Sequence, residues 1–381
     1  MRIVQVLSAP STVGVTGSRI WLRNLYEPLL ELGHEVILIP ADDGWRAAVR
    51  GDTRLRDQFS EKVRSTVVAA AQNGGVDLFF SYLIDGAVDP ALIDEIGDMG
   101  IPTCNFSCNN THQFDLVDSI SPHFEINAHS EKDAAESFRA VGANPVWFPM
   151  AANAKYYHPV ETACDMDVTF VGQRYALRPG YVGRLLDTGI DVHVYGPGWR
   201  LRTPGLAGEA KRILRRAVTE ARALLTTGDV SRGRAVAESA WLREAERVRL
   251  RYSHNMHDPV PDDEMIRLYS ASRVSLGFSE VFDAHDPSAE VKRHLHLRDF
   301  EAPMCGAAYL AGRTEELGEF YELETEVATY GDPEELIAKT RFLLSNSSAR
   351  HRLREAGLKR ARACHTYQRR LSDLFSSIGV G

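Results

Sequence analysis

Short apolar runs return along this chain with a helical stretch between neighbours, and the rhythm breaks near residue 160 before starting again. The first round contains RIVQVL, GHEVILIP, VDLFFSYL (76–83), IPTCNFS (101–107) and NPVWFPM (144–150). The second contains DVTFVG (167–172), DVHVYG (191–196), RVSLGFS (273–279), AAYLAG (307–312) and a short VATY (327–330). Strands alternating with helices specify a parallel, doubly wound sheet, because parallel neighbours need a crossover helix. The expected fold class is therefore α/β, with two Rossmann-like domains, 1–160 and 161–365, facing a cleft. HTYQRRLSDLFSSI reads as a terminal helix, about 366–381, that packs back on the first domain.

At 381 residues, 44% hydrophobic and 25% charged, the chain has material for two cores. A net charge of −8 argues against global binding to nucleic acid. No apolar run approaches a membrane span, and five scattered cysteines suggest reduced thiols in a cytoplasmic protein. One segment interrupts the alternation. From about 204 to 251 the pattern is helical, with Ala210, Ile213, Leu214, Ala217, Ala221 and Leu224 at helical spacing. It reads as a helical hairpin inserted into the second domain. Residues 200–251 carry a net charge of +7 within an acidic chain. That hairpin is either a solvated element of its own domain or a docking surface for an acidic acceptor, an anionic membrane or another subunit.

In open α/β sheets ligands sit beyond the carboxyl ends of the strands, which directs attention to FVGQRYALRPG. A strand ends at Gly172, and Arg174 and Arg178 follow in the loop that opens a helix. Two guanidiniums there suit a diphosphate, since their forks match phosphate oxygens and a helix N-terminus adds to the field. On spacing alone they are equally ordinary surface charge. The stretch RDFEAPMCGAAYL (298–310) carries the second signal. A helix over 289–304 puts His294, Arg298, Glu301 and Cys305 on one face and ends at Gly306. Glu301 is then a candidate acceptor for both hydroxyls of a ribose, or half of an Arg298–Glu301 surface pair. Pro303 bends the last turn. Gly14 and Gly17 in the first loop and Gly196 in GPGW are places where a ligand can approach backbone. His112, in CNNTHQF, is a general base, a sugar contact or a polar loop residue. His294 and His296 do not form a metal site, because i, i+2 residues on a helix do not face each other. No phosphate loop, HExxH or GxSxG motif is present.

RDFEAPMCGAAYLAG, together with REAGLKRARACHTYQRRL, resembles the carboxy-terminal half of spore-maturation-protein-like (CgeB-like) glycosyltransferases, a branch of the retaining two-domain (GT-B) nucleotide-sugar transferases. The resemblance covers roughly 165–200 and 262–372, and more loosely IVQVLSAP, LLELGHEV and FRAVGANPVWFPMAAN. It implies that Glu301 binds ribose, that Arg174 and Arg178 clamp the diphosphate, and that Gly306 brings backbone close to the nucleotide. Arg298, Gly172, Gly196 and Gly14 fall in the same donor-binding set, and His112 joins the two arginines as a catalytic candidate. His365, Thr366, Tyr367 and Arg370 match a terminal signature of architectural character.

The sequence departs from that family at Arg293, where the wider superfamily carries a glutamate, and at Asn109 and Asn110, where relatives have acidic residues. The implied reaction moves a sugar from a nucleoside diphosphate sugar to an acceptor hydroxyl, with retention, with the arginines in place of a metal and with no cofactor beyond the donor. Two other readings share the fold: a nucleotide-sugar epimerase or hydrolase, and a non-catalytic nucleotide-sugar-binding protein.

Overall fold

The computed structural model describes residues 1–8, 19–41, 48–200, 243–281 and 292–380. The chain divides into two compact units, Met1–Tyr157 with Ala361–Gly381, and His158–Arg360. The first break thus falls at 157 rather than 160, and the last stretch of chain belongs to the first unit.

In the first unit, β1 (Arg2–Ser8), β2 (Glu35–Ala41), β3 (Leu78–Ser81), β4 (Thr103–Ser107), β5 (Ile126–His129) and β6 (Pro145–Trp147) form one sheet in the order β2-β1-β3-β4-β5-β6. Every pairing is parallel. Helices α1 (Glu27–Glu31), α2 (Thr53–Gln72), α3 (Ala91–Asp98) and α4 (Ala135–Ala140) lie in the connections. Helix α2 begins where the Asp52 side chain accepts the Leu55 N–H. Its Phe59, Val63, Val67 and Ala70 return every three or four residues and are buried in the core with Val4, Val6, Phe79 and Ile93. Sequestering each of these Phe, Val and Ile side chains contributes about 1.5–3 kcal/mol.

The second unit repeats the design. Strands β7 (Met166–Val171), β8 (Val192–Tyr195), β9 (Met256–His257), β10 (Ser272–Gly277), β13 (Tyr309–Gly312) and β14 (Ala328–Tyr330) run in the order β14-β13-β10-β7-β8-β9, all parallel. A separate two-residue ribbon pairs β11 (Glu280–Val281) with β12 (Lys292–Arg293), antiparallel. The helices are α5 (Arg178–Asp187), α6 (Asp262–Ala271), α7 (Arg298–Met304), α8 (Leu317–Phe320), α9 (Pro333–Ser345) and α10 (Ser347–Cys364), which runs into the closing α11 (Tyr367–Ser377) of the first unit. Phe170, Val192, Val194, Trp199, Leu276, Phe278 and Leu310 fill this core.

Helix α11 shows why HTYQRR is architectural. Thr366 caps it by accepting the Arg369 N–H at 3.3 Å, Tyr367 is fully buried, and Ala152 and Thr366 form a parallel bridge. The helical insertion expected at 204–251 lies mostly outside the described residues; residues 243–251 are helical, and Val248 joins the core of the second unit. No described helix is long and apolar enough to cross a membrane.

Candidate functional site

In the second unit the chain winds from β7 outward to β8 and β9, then returns to the other side of β7 to lay down β10, β13 and β14. The winding direction therefore reverses between β7 and β10, and crevices at such reversals, at the carboxyl ends of the strands, receive ligands. Gly172 follows β7 at that edge, and Phe278, Ser279 and Glu280 follow β10.

The backbone here is packed too closely for side chains. A Cβ on Gly172 would lie 2.3 Å from Arg298 Nη2 and 2.7 Å from Phe170 Cζ, and a Cβ on Gly196 would lie 2.2 Å from the Gly172 carbonyl oxygen. Gly196 also sits at φ +152°, a region glycine favours. Trp199 closes the turn by donating its indole N–H to the Gly172 carbonyl at 2.7 Å. GPGW thus serves as the buttress of the Gly172 loop. Gly14 lies outside the described residues.

The loop from Gln173 to Leu177 turns through Ala176, whose φ of +49° is left-handed for a residue with a Cβ and costs about 1–2 kcal/mol. That turn delivers Arg178 to the first position of α5, with Pro179 behind it. Arg178 is only 6% exposed. Its Nη1 donates to the Gln173 carbonyl at 3.0 Å, and its guanidinium lies 5.5 Å from the Phe170 ring centre and 5.8 Å from that of Tyr175. Burial first, and Arg298 second, pull it well below the usual arginine value. The sequence reading made Arg174 and Arg178 the diphosphate clamp, two guanidiniums in the strand-to-helix loop. In the structure Arg178 is buried and held by its own loop, because the left-handed turn at Ala176 folds the loop back over it. Arg174 is half-buried, donates its backbone N–H to Pro197 at 3.0 Å, and is likewise lowered by burial first and Arg249 second.

Arg298 reaches the same ring from the other sequence segment. Its Nε donates to the Val171 carbonyl at 2.6 Å, and its guanidinium sits 4.7 Å from the centre of Phe170. Burial opposes its charge, but Tyr269, Tyr309, Asp299 and Glu301 outweigh that effect and hold it above the usual value. Phe170 therefore underlies two guanidiniums, a cation–π arrangement on both. Arg178 Nε and Arg298 Nη1 are buried and find no hydrogen-bond partner among the described residues.

The expected helix over 289–304 is shorter than its periodicity suggested. Lys292 and Arg293 form strand β12, and α7 starts at Arg298, where Asp299 Oδ2 accepts the His296 N–H at 2.6 Å and sets the boundary. His294 therefore does not share a helical face with Arg298 and Glu301. The His294 and His296 rings, off any helix, meet edge-on at 4.5 Å, and no group of three metal-ligating residues occurs among the described residues. Glu301 is buried in the first turn of α7. Gly306, at φ +72°, ends α7 in a Schellman arrangement: its N–H reaches the Pro303 carbonyl at 2.9 Å, and Ala307 N–H reaches Ala302 at 3.1 Å. It leads into the N-terminal end of β13, the edge opposite the crevice, and packs against Pro159. Gly306 is a helix stop and does not approach a ligand at the β7–β10 edge.

In the first unit His112 lies in the loop after β4, half-buried, with its Nδ1 3.4 Å from Thr111 Oγ1. The preceding loop is organised by Glu131, which periodicity did not single out. Its two carboxylate oxygens accept the Asn109 and Asn110 backbone N–H groups at 2.8 and 3.0 Å, and Ser130 Oγ donates to it at 2.6 Å. Asn109 is left-handed at φ +65°. Phe170 and Glu280 were missed as well; the available signal was that each stands at the carboxyl end of a strand flanking the reversal.

Residues 202–376 match the family model Glyco_trans_1_2, whose description is glycosyl transferase-like. No curated protein matches the sequence. Among solved structures, HepE from Anabaena in complex with UDP and glucose is similar over 100% of this chain and 99% of its own, at TM-score 0.57 and 11% identity. A glycosyltransferase from Rickettsia africae ESF-5 is similar over 99% and 98%, at 0.58 and 11%. Sucrose-phosphate synthase from Thermosynechococcus elongatus is similar over 99% and 98%, at 0.55 and 12%. Two parallel six-stranded sheets in series, matched along the full length of such neighbours, give this chain the GT-B α/β fold.

Proposed function

We propose that this chain is a glycosyltransferase of the spore-maturation-protein-like branch, moving a sugar from a nucleoside diphosphate sugar to an acceptor hydroxyl with retention and without a metal ion. The observation that carries the reading is the pair of guanidiniums on Phe170 at the β7–β10 reversal. When the bond between the anomeric carbon and the phosphate oxygen breaks, charge accumulates on the departing diphosphate. N–H donors that are fixed and desolvated beforehand stabilise that charge without reorganising. Arg298 and Arg178 supply the buried donors and Arg174 the more accessible one. The acceptor oxygen bonds to the anomeric carbon on the face the phosphate leaves, and the acceptor proton passes to the departing phosphate oxygen. No enzyme nucleophile is required. Glu301 is assigned to the ribose hydroxyls, and His112 to a contact with sugar or acceptor.

HepE was solved with UDP and with UDP-glucose, so these are the first probes. Titration should show binding of a nucleoside diphosphate, and addition of acceptor should convert donor to glycosylated product. Turnover without acceptor would replace this reading with an epimerase or hydrolase, and binding without turnover would reduce it to a binding protein. Arg174→Ala is expected to lower turnover about 100-fold with little loss of donor affinity. Glu301→Ala is expected to weaken nucleotide binding about tenfold. Deleting 204–242, which spares the helical residues 243–251 and the core residue Val248, should leave donor binding intact if that segment serves an acceptor, a membrane or another subunit.

A further inference from the structure

Within electrostatic reach of Arg178 stands a group of opposite charge. Glu280 follows β10 at the reversal edge and is 2% exposed. One oxygen is committed: Oε1 accepts from the Tyr181 hydroxyl at 3.0 Å and lies 3.5 Å from Arg293 Nε, its cross-strand partner on β12. The other, Oε2, is buried and has no hydrogen-bond partner among the described residues, and neither has the hydroxyl of its neighbour Ser279. A desolvated carboxylate oxygen without a donor costs more than a neutral orphan, so its retention calls for a ligand. A carboxylate only accepts; it cannot bind phosphate. Guanidinium donors and a carboxylate acceptor on one strand edge describe a ligand that is anionic at one end and rich in hydroxyl donors at the other.

We infer that Glu280 is the residue that reads the sugar of the donor, accepting a ring hydroxyl on Oε2, and that the site thereby takes a neutral hexose and rejects a hexuronate. This rests on the donor reading above. Tyr181 and Arg293 hold Oε1 and so aim Oε2, while a hexuronate would set its own carboxylate against that of Glu280.

The test is calorimetry with UDP, UDP-glucose and UDP-glucuronate on the full chain, comparing wild type with Glu280→Gln and Tyr181→Phe. Wild type should prefer UDP-glucose over UDP-glucuronate by at least about tenfold. Glu280→Gln should leave UDP affinity within about twofold, weaken UDP-glucose about tenfold and narrow the hexuronate discrimination. Tyr181→Phe, which keeps the carboxylate and loses its anchor, should show the same pattern at about threefold, and supplies the answer if Glu280→Gln does not fold. The inference is overturned if UDP and UDP-glucose affinities change in parallel. A parallel rise would make Glu280 a counter-ion of Arg178 and Arg298, and a parallel fall a structural group. If wild type binds neither UDP nor UDP-glucose, nor any other nucleoside diphosphate or its sugar, the donor reading falls and this inference with it. If it binds them and the variants leave the ratio unchanged, only the role of Glu280 falls.

Discussion

The two units share a sheet design but fasten their loops with charges of opposite sign. In the first, the Glu131 carboxylate gathers the Asn109 and Asn110 N–H groups and the Ser130 hydroxyl. In the second, guanidiniums gather carbonyls: Arg178 takes Gln173 and Arg298 takes Val171. The difference lies in what is left over. Three short donors already occupy the Glu131 oxygens. A guanidinium has five N–H donors, and after one carbonyl each, Arg178 Nε and Arg298 Nη1 are still unmatched among the described residues. Both oxygens of the anionic fastener are engaged, while the cationic fasteners keep unmatched donors. One architecture can therefore engage a buried carboxylate fully in one half and leave buried guanidinium donors unmatched in the other.

Removing the shared platform should do most damage. Phe170→Ala deletes a fully buried ring that touches both guanidiniums and Phe278 at 4.7 Å. A loss of about 3–5 kcal/mol is expected in urea denaturation, and a loss under 1 kcal/mol would show that the ring is not a keystone. Glu131→Gln should cost about 1–3 kcal/mol yet leave nucleoside diphosphate affinity unchanged; altered affinity would break the contrast between the units. Gly172→Ala places a Cβ against Arg298 Nη2 and the buried Phe170 ring, so the guanidinium is displaced and the ring must shift by a few tenths of an ångström. The expected outcome is a folded protein whose nucleoside diphosphate affinity drops about tenfold, read by calorimetry.

The smallest expected effect lies at the β8–β9 edge of the second unit. His193 Nδ1 and His257 Nε2 share a hydrogen bond at 2.9 Å at the β8–β9 edge, with Asp191 beside His193 and Tyr195 stacked on His257. Burial first, then His193 and Arg200, lower His257. The folded chain thus binds this proton less readily than the unfolded one. The stability contributed is complete above the unfolded value, about 6.5, and is lost as pH falls through the lower folded value. The melting temperature should drop between neutral pH and pH 5, and His257→Gln should flatten that slope.

Much of the fold was readable because strands buried on both faces appear as unbroken apolar runs, as in VDLFFSYL and DVTFVG. The Gly172–Arg178 loop was readable for the same reason, since it follows such a run. What periodicity could not carry is contact between distant segments. The helix start at Arg298 depends on β12 pairing with β11, which takes Lys292 and Arg293 out of the helical run. Arg298 looks like half of a surface pair with Glu301 until its Nε is found on Val171, 127 positions away. Phe170 and Glu280 gain meaning only when β7 and β10 lie side by side. The helix stop at Gly306, by contrast, was legible, because the Schellman bonds that define it are local.

The most direct measurement is calorimetric titration of the wild-type chain and Arg298→Ala with a panel of nucleoside diphosphates and the matching nucleosides. At least one diphosphate should bind wild type about 100-fold more tightly than its nucleoside, and Arg298→Ala should erase most of that difference. Equal affinity for diphosphate and nucleoside, or a preference untouched by Arg298→Ala, would contradict this expectation.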